Sequence, residues 1–486
     1  MEIIIPPIDL KSIAPLLILT ITAMVVLILG LFTSKESKVG FYFFSLLGIG
    51  LALLFTVKQF GSTTVSFNGA YVVDNFSIFF NVIILCSTAL IVMMSGSYLR
   101  REDINYGEYY CLLLFATVGM VIMTSGSNLL MIFLGLEVLS ISLYILAGFK
   151  RNNVRSTEAA LKYFLLGAFT TGFLLFGIAF IYGATGSVDL RVIADFLKND
   201  GSKVTSDPMM ILGLILLIFG FGFKVATVPF HNWVPDVYEG APTPITAFFA
   251  SGPKAAGFAV FFRVFLMSFS ELDVHWTKIL WILAVLTMTV GNLVALKQTS
   301  IKRMLAYSSI AHAGYIMIAL VSANSLGMAS VLFYMVAYAL MNIGAFAIVI
   351  IMGRKGEDNT QLSDYSGFGY KHPVLAIVMT IFMLSMAGMP PLAGFVGKFY
   401  VFSAAIKSGY ITLAIIGVIN SVISVYYYLR VTVFMYMKPP MREFSPLSTS
   451  PFIILVLLIT LWGTIQFGIF PSCIINLAQK SILILQ

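Results

Sequence analysis

The sequence predicts an all-α polytopic membrane protein of about fourteen transmembrane helices. These are arranged as two inverted five-helix repeats with broken seventh and twelfth helices. Three observations predict that fold class. The 486-residue chain is 59% hydrophobic and 10% charged, against about 25% charged in soluble domains. Its mean hydropathy is +0.97. Its apolar runs recur along the whole length, most of them near the ~20 residues that cross a bilayer. A net charge of +8 would suggest nucleic acid in a soluble chain. Here the basic residues sit in short loops, which fits membrane orientation and leaves no nucleic-acid partner.

Taken in order, the first three runs are 13–33, 39–57 and 76–99. No basic stretch precedes the first, so a cleaved signal peptide is not expected. The next three are 109–125, 128–149 and 158–183, followed by a polar loop over 184–207 that predicts a short surface helix. The seventh, 208–235, contains Lys224 and Pro229, and the eighth, 243–269, contains Pro253 and Lys254. The ninth to eleventh are 276–296, 302–322 and 326–352. The twelfth, 373–407, contains Gly388-Met389-Pro390-Pro391 and then Lys398; 410–436 and 451–471 complete the set.

The seventh and twelfth runs are too long for one straight span, and each carries proline near its middle. Proline removes a backbone donor and breaks the helix ladder. Irregular backbone survives at membrane depth only where protein or a water-filled cavity surrounds it. If runs four to eight form one unit and nine to thirteen another, the broken helix is fourth in both. Five is odd, so the second unit enters from the opposite side, as in secondary transporters. The expected division is an N-terminal three-helix part (1–108), a first repeat (109–270), an inverted second repeat (271–436) and a C-terminal helix (437–486).

Loops after odd-numbered runs hold Lys35, Lys38, Arg100, Arg101, Lys150, Arg151, Arg155, Lys297, Lys302, Arg303, Arg354, Lys355, Lys371, Lys438 and Arg442. That excess predicts a cytoplasmic odd side and both termini on the outer side of a bacterial inner membrane. The odd-side loop with Asp236 and Glu239 is the exception, having no basic residue of its own.

Cys86, Cys111 and Cys473 form no CxxC, so no zinc site, iron–sulfur cluster or disulfide framework is expected. His231, His275, His312 and His372 share no span, so no paired haem ligands are expected.

The chemistry-bearing residues are the charges inside the runs. Glu137, Lys224, Lys254 and Lys398 lie at depths where an ionisable group is functional by default. Each also has a structural reading: a carboxylate satisfied by hydroxyls for Glu137, an interhelical contact near Pro253 for Lys254. Lys162 sits near a span end, where it can snorkel or pair with Glu158 one turn back. His312 is either a hydrogen-bonded core histidine or a relay member, and His231 is either a loop residue or a gate. Arg263 and Lys297 read as interfacial anchors. Burial disfavours a charged ammonium and a nearby carboxylate restores it, so a lysine and a glutamate that separate and rejoin can move a proton. Glu137 and Lys224 are the expected pair. Lysines repel metal cations, and a single deep carboxylate favours protons over sodium as the moved ion.

The stretches KVATVPFHNWVPDVYEGAPTPITAF, STEAALKYFLLGAF and MAGMPPLAGFVGKFYVF resemble the antiporter-like membrane subunits of respiratory complex I and the multisubunit cation/proton antiporters related to them. The resemblance spans essentially the whole chain. It implies proton transfer through Glu137, Lys224, Lys254 and Lys398. One branch of the family carries glutamate at the twelfth-helix position, so Lys398 favours the lysine branch. It further implies that NADH is oxidised through FMN and iron–sulfur centres and that quinone is reduced. All of those sit in partner subunits, and this chain binds no cofactor and no metal. The expected partners are other membrane subunits of that complex and the lipid bilayer. Two other readings stand beside it: a subunit of a multisubunit sodium/proton antiporter, and a non-pumping scaffold of a membrane complex.

Overall fold

The structure, a computed structural model, describes residues 9–32, 39–204, 207–356, 359–441 and 449–482. Lys35, Lys38 and Arg442, and both chain ends, lie outside the described residues. The first six spans are α1 (Ala14–Phe32), α2 (Val39–Lys58), α3 (Asn75–Arg101), α4 (Gly107–Ser125), α5 (Leu129–Ala147) and α6 (Val154–Thr185). A small antiparallel hairpin, β1 (Thr64–Ser66) and β2 (Tyr71–Val73), joins α2 to α3 with Thr64 opposite Val73. The polar loop contains the expected surface helix, α7 (Leu190–Val204). The seventh segment is α8 (Pro208–Val225) plus α9 (Trp233–Gly240), and the eighth is α10 (Thr243–Ala250) plus α11 (Gly252–Arg263). Then come α12 (Asp273–Ala295), α13 (Ile301–Ser322), α14 (Ser325–Met352) and the single turn α15 (Phe368–Lys371). The twelfth segment is α16 (Pro373–Ala387) plus α17 (Ala393–Lys407), followed by α18 (Ile411–Met437), α19 (Pro451–Ile469) and α20 (Ser472–Lys480).

Among the described residues, thirteen helices are long and apolar enough to cross a bilayer. The twelfth segment is missing from that set because its break leaves two arms of 15 residues each. Both expected breaks end their first arm in a left-handed residue, Ala226 (φ 67°) and Gly388 (φ 89°). Each is followed three positions on by a proline, Pro229 and Pro391. The eighth segment, expected to be continuous, is broken too. Ser251 (φ −109°, ψ −88°) separates α10 from α11. Pro253 lies in the first turn of α11, where its missing N–H costs nothing.

Burial sorts the helices into an inner and an outer set. The eighth, tenth and eleventh segments are 89–100% buried over their apolar windows, whereas α1, α6 and α19 are 22–33% buried. The inner set carries Lys254, Lys224 and Lys398 come from the broken seventh and twelfth segments beside it, and the outer set presents apolar side chains to lipid. Loop contacts join ends of the same parity. On the odd side, Lys150 pairs with Glu102 at 3.2 Å, and Lys355 pairs with Asp103. Arg430 there donates to the Leu296 carbonyl at 3.0 Å. On the even side, Asn324 donates to Ser408 at 2.6 Å, and Asn75 donates to the Lys480 carbonyl at 3.1 Å. The helices therefore alternate in direction as a bilayer requires.

Arg263 is not the interfacial anchor its sequence position suggests. It is 1% exposed and donates to the Asp74 carboxylate at 2.9 Å, beside the Phe76 ring. Asp74 caps α3 by accepting from the Ser77 N–H at 2.7 Å, so the pair fastens the end of α11 to the start of α3. Asp74→Ala leaves the guanidinium buried without its carboxylate, which costs about 3–5 kcal/mol. A lowered melting temperature of the purified chain is the expected readout.

Candidate functional site

Breaking α8 places Lys224 in the last turn of its first arm. The break is pinned by neighbours: the Val228 N–H donates to Thr287 at 2.9 Å, and the Trp233 indole donates back to the Phe223 carbonyl at 3.2 Å. Lys224 is 7% exposed. Its Nζ donates to Ser140 Oγ on α5 at 2.8 Å and lies 5.9 Å from the Tyr163 ring centroid. Gly257 on α11 makes room for this packing, since a Cβ there would fall 2.8 Å from Val225 and 3.7 Å from the Lys224 stem.

Glu137 stands one turn before Ser140 on α5 and is half-buried. The expected Glu137–Lys224 ion pair is not formed here. Glu137 instead accepts from Thr171 on α6 at 3.0 Å. Ser140, Thr171 and Lys224 share one narrow cavity between α5, α6 and α8. Lys224 and the Thr171 partner of Glu137 thus line one small space, and the two charged groups each hold a hydroxyl rather than each other.

The unforeseen break at Ser251 aims Lys254 across the centre. Lys254 is 3% exposed, and its Nζ donates to both the carbonyl and the hydroxyl of Ser309 on α13. The same hydroxyl is 3.3 Å from Tyr238, and the ammonium lies 5.5 Å from the Tyr338 ring. Next to Ser309, Ser308 and the Tyr428 hydroxyl are 2.5 Å apart. Tyr428 is also 3.0 Å from His312 Nε2, and His312 Nδ1 is 2.6 Å from the Tyr334 hydroxyl. His312 is therefore held at both nitrogens by phenols, one of which leads back toward Lys254.

Lys398 belongs to the second arm of its broken helix, unlike Lys224. It is 3% exposed and donates to the Met386 and Ala387 carbonyls, each at 3.0 Å, and to Ser421 Oγ at 2.9 Å. Those carbonyls form the free C-terminal end of α16, where a cation is favoured by the helix dipole. Gly388 permits the approach: a Cβ there would sit 3.0 Å from the Lys398 stem. Lys398 also lies 5.0 Å from the Tyr315 ring, which packs edge-on against His312 at 5.7 Å. Below it, Asn292 donates to Tyr315 at 3.0 Å and accepts from Tyr427 at 2.9 Å.

Two expected members lie apart from this line. Lys162 joins a charged cluster at the odd side, bonded to Glu158 and Asp236 at 2.8 Å each. Arg303 bridges Asp236 and Glu239 at 2.8 and 2.9 Å, so the loop without basic residues of its own borrows two. His231 lies half-buried in the turn between α8 and α9, and no hydrogen bond joins it to a buried lysine. Sequence reasoning missed the hydroxyls Ser140, Ser309, Tyr334 and Tyr428, whose spacing in the chain carries no signal. Among the described residues, no three His, Cys, Asp or Glu side chains gather as a metal site.

Residues 126–424 match the family described as NADH:quinone oxidoreductase/Mrp antiporter, TM. The chain is 51% identical over 475 residues to NADH-quinone oxidoreductase subunit N of Trichlorobacter lovleyi, covering 98% of this chain and 97% of that protein. It is similar to a chain of respiratory complex I from Thermus thermophilus with bound aureothin, at 35% identity and a TM-score of 0.81, covering 96% and 99% of the two chains. A chain of the Mrp complex from Dietzia sp. shares its fold at 20% identity and a TM-score of 0.83, covering 98% and 97%.

Proposed function

The chain belongs to the family of NADH-quinone oxidoreductase subunit N, and on that premise we propose that its buried Lys/Glu relay carries protons across the membrane. Electron transfer from NADH to quinone in other subunits drives that movement, and the FMN and iron–sulfur centres reside there. The relay runs from Glu137 through Lys224 and Lys254 to Lys398, with His312 between the last two. The observation that carries this reading is one shared by all three lysines. Each is at most 7% exposed, each donates to a serine hydroxyl, and none has a carboxylate within ion-pair distance among the described residues. A buried ammonium without a counter-ion is costly unless its proton can leave. A scaffold would have no use for three such sites. A sodium path is disfavoured because lysines repel the cation, and the likeness to the Mrp chain speaks to fold alone.

In this reading Lys162, Asp236, Arg303 and His231 form the odd-side approach to the relay. The odd side faces the cytoplasm of a bacterial inner membrane and both termini face outward. Residues 109–270 and 271–436 act as two inverted halves, each with a left-handed residue three positions before a proline in its fourth segment. Glu137 and Lys224 alternate between the separated arrangement and a direct ion pair.

The test is a double-mutant cycle on the assembled complex. Glu137→Gln and Lys224→Ala should each reduce proton pumping, and their effects should be strongly non-additive because both remove one interaction. If the logarithms of the losses add, the two residues act independently and the switch is wrong.

A further inference from the structure

An apolar groove of about 810 Å³ opens between α2, α3, α14, α19 and α20. It falls within the range of about 300–1,000 Å³ that holds ligands. Val57 of α2, Ile78 and Met93 of α3, Leu340 of α14, Trp462 of α19 and Leu477 of α20 lie along it. Ser87 supplies the one hydroxyl among its described lining residues. From Ile78 to Met93 it follows α3 for roughly 22 Å at 1.5 Å per residue, more than half of the ~30 Å hydrocarbon core. The groove therefore lies at acyl-chain depth.

Its even-side end is basic. Gln59 donates to the Lys11 carbonyl at 2.6 Å, and the Asn75 side chain accepts from the Gly61 N–H at 2.8 Å while donating to the Lys480 carbonyl at 3.1 Å. These bonds gather Lys11, Lys58 and Lys480 around the start of α3, where Val57, Ile78 and Leu477 begin the groove. All three side chains are exposed, and none pairs with a carboxylate among the described residues. Of the acids nearby, Asp74 is taken by Arg263, and Asp9 accepts the Lys11 N–H at 3.0 Å. Lys58 lies 5.7 Å from the Phe55 ring, so its stem is held at the membrane surface.

We propose that this groove is a binding site for one anionic phospholipid, whose acyl chains fill the apolar channel and whose phosphate sits among Lys11, Lys58 and Lys480. The bound lipid braces the N-terminal helices against α14, α19 and α20, alongside the direct packing of α3 on α14 and α19 and the ring contact of Tyr42 with Phe452 at 4.8 Å. Juxtamembrane lysines attract anionic lipid, so selectivity for the charged headgroup follows from the rim and retention from the groove.

Trp462 lines the groove and supplies the readout. The assembled complex is reconstituted with phosphatidylglycerol or phosphatidylcholine carrying brominated acyl chains, which quench tryptophan on contact. The Trp462 signal is the difference between the parent and Trp462→Phe. Phosphatidylglycerol should quench it at a mole fraction at least about fivefold lower than phosphatidylcholine. Lys58→Gln with Lys480→Gln should remove that preference, and raised salt should shrink it in the parent, which covers the case of a variant that fails to assemble. Equal quenching by both lipids in the parent would reduce the groove to ordinary bilayer contact and overturn the proposal. Quenching by neither would mean that a neighbouring subunit covers it, which also overturns it.

Discussion

Lys398→Ala should lower NADH-driven proton pumping by on the order of a hundredfold in a complex that still assembles, the scale of a lost proton-transfer group. The ammonium makes three hydrogen bonds, to Met386, Ala387 and Ser421, so its removal takes away both the proton carrier and the charge that neutralises the end of α16. Lys398→Arg separates those roles. A guanidinium keeps the positive charge at the helix end but does not release its proton near neutrality. Assembly should therefore recover while pumping stays low. Lys224→Ala and Lys224→Arg should behave alike, because the Ser140 hydroxyl is left facing either a void or a fixed charge. If coupling is tight, quinone reduction falls with pumping. Pumping at the parent rate in Lys398→Arg would rule out proton transfer at that nitrogen.

Tyr428→Phe is expected to have the next largest effect, a loss of roughly tenfold or more in pumping. Its hydroxyl is 2.5 Å from Ser308 and 3.0 Å from His312 Nε2, which ties the histidine to the chain neighbour of Ser309, the residue that holds Lys254. The phenylalanine ring keeps the packing against Tyr427 and removes the link alone. Assembly and thermal stability should stay near the parent values. Unchanged pumping in an assembled Tyr428→Phe complex would take His312 out of the path.

The parts of this fold that were legible in sequence are those written in local chemistry. Apolar length identifies a span wherever it packs, so all fourteen segments were placed within a few residues. Pro229 and Pro390 announced their breaks because each falls deep inside an overlong run. Ser251 did not, because Pro253 occupies a first helical turn, where proline is tolerated, and the hydropathy continues across the break. Arg263 misled for a tertiary reason: its place near a span end is real, but the N-cap of α3 packs over it. The lysines stood out because charge is rare at depth, while the serines that accept their hydrogen bonds and the tyrosine rings beside them resemble ordinary span residues. Periodicity tells which face of a helix a hydroxyl occupies, and only the packing of α13, α14 and α18 tells which ammonium it meets. The borrowed cations of the Asp236 loop were hidden for the same reason, since Lys162 and Arg303 come from other segments.

The central claim is that Lys254, His312 and Lys398 stand in series on one proton path. It is tested most directly by proton pumping in assembled complexes carrying Lys254→Ala, Lys398→Ala and both. A serial path predicts that the double variant pumps no less than the worse single one, because a path once cut is not cut further. Losses whose logarithms add would contradict the account, since they would mean that the two lysines serve separate routes.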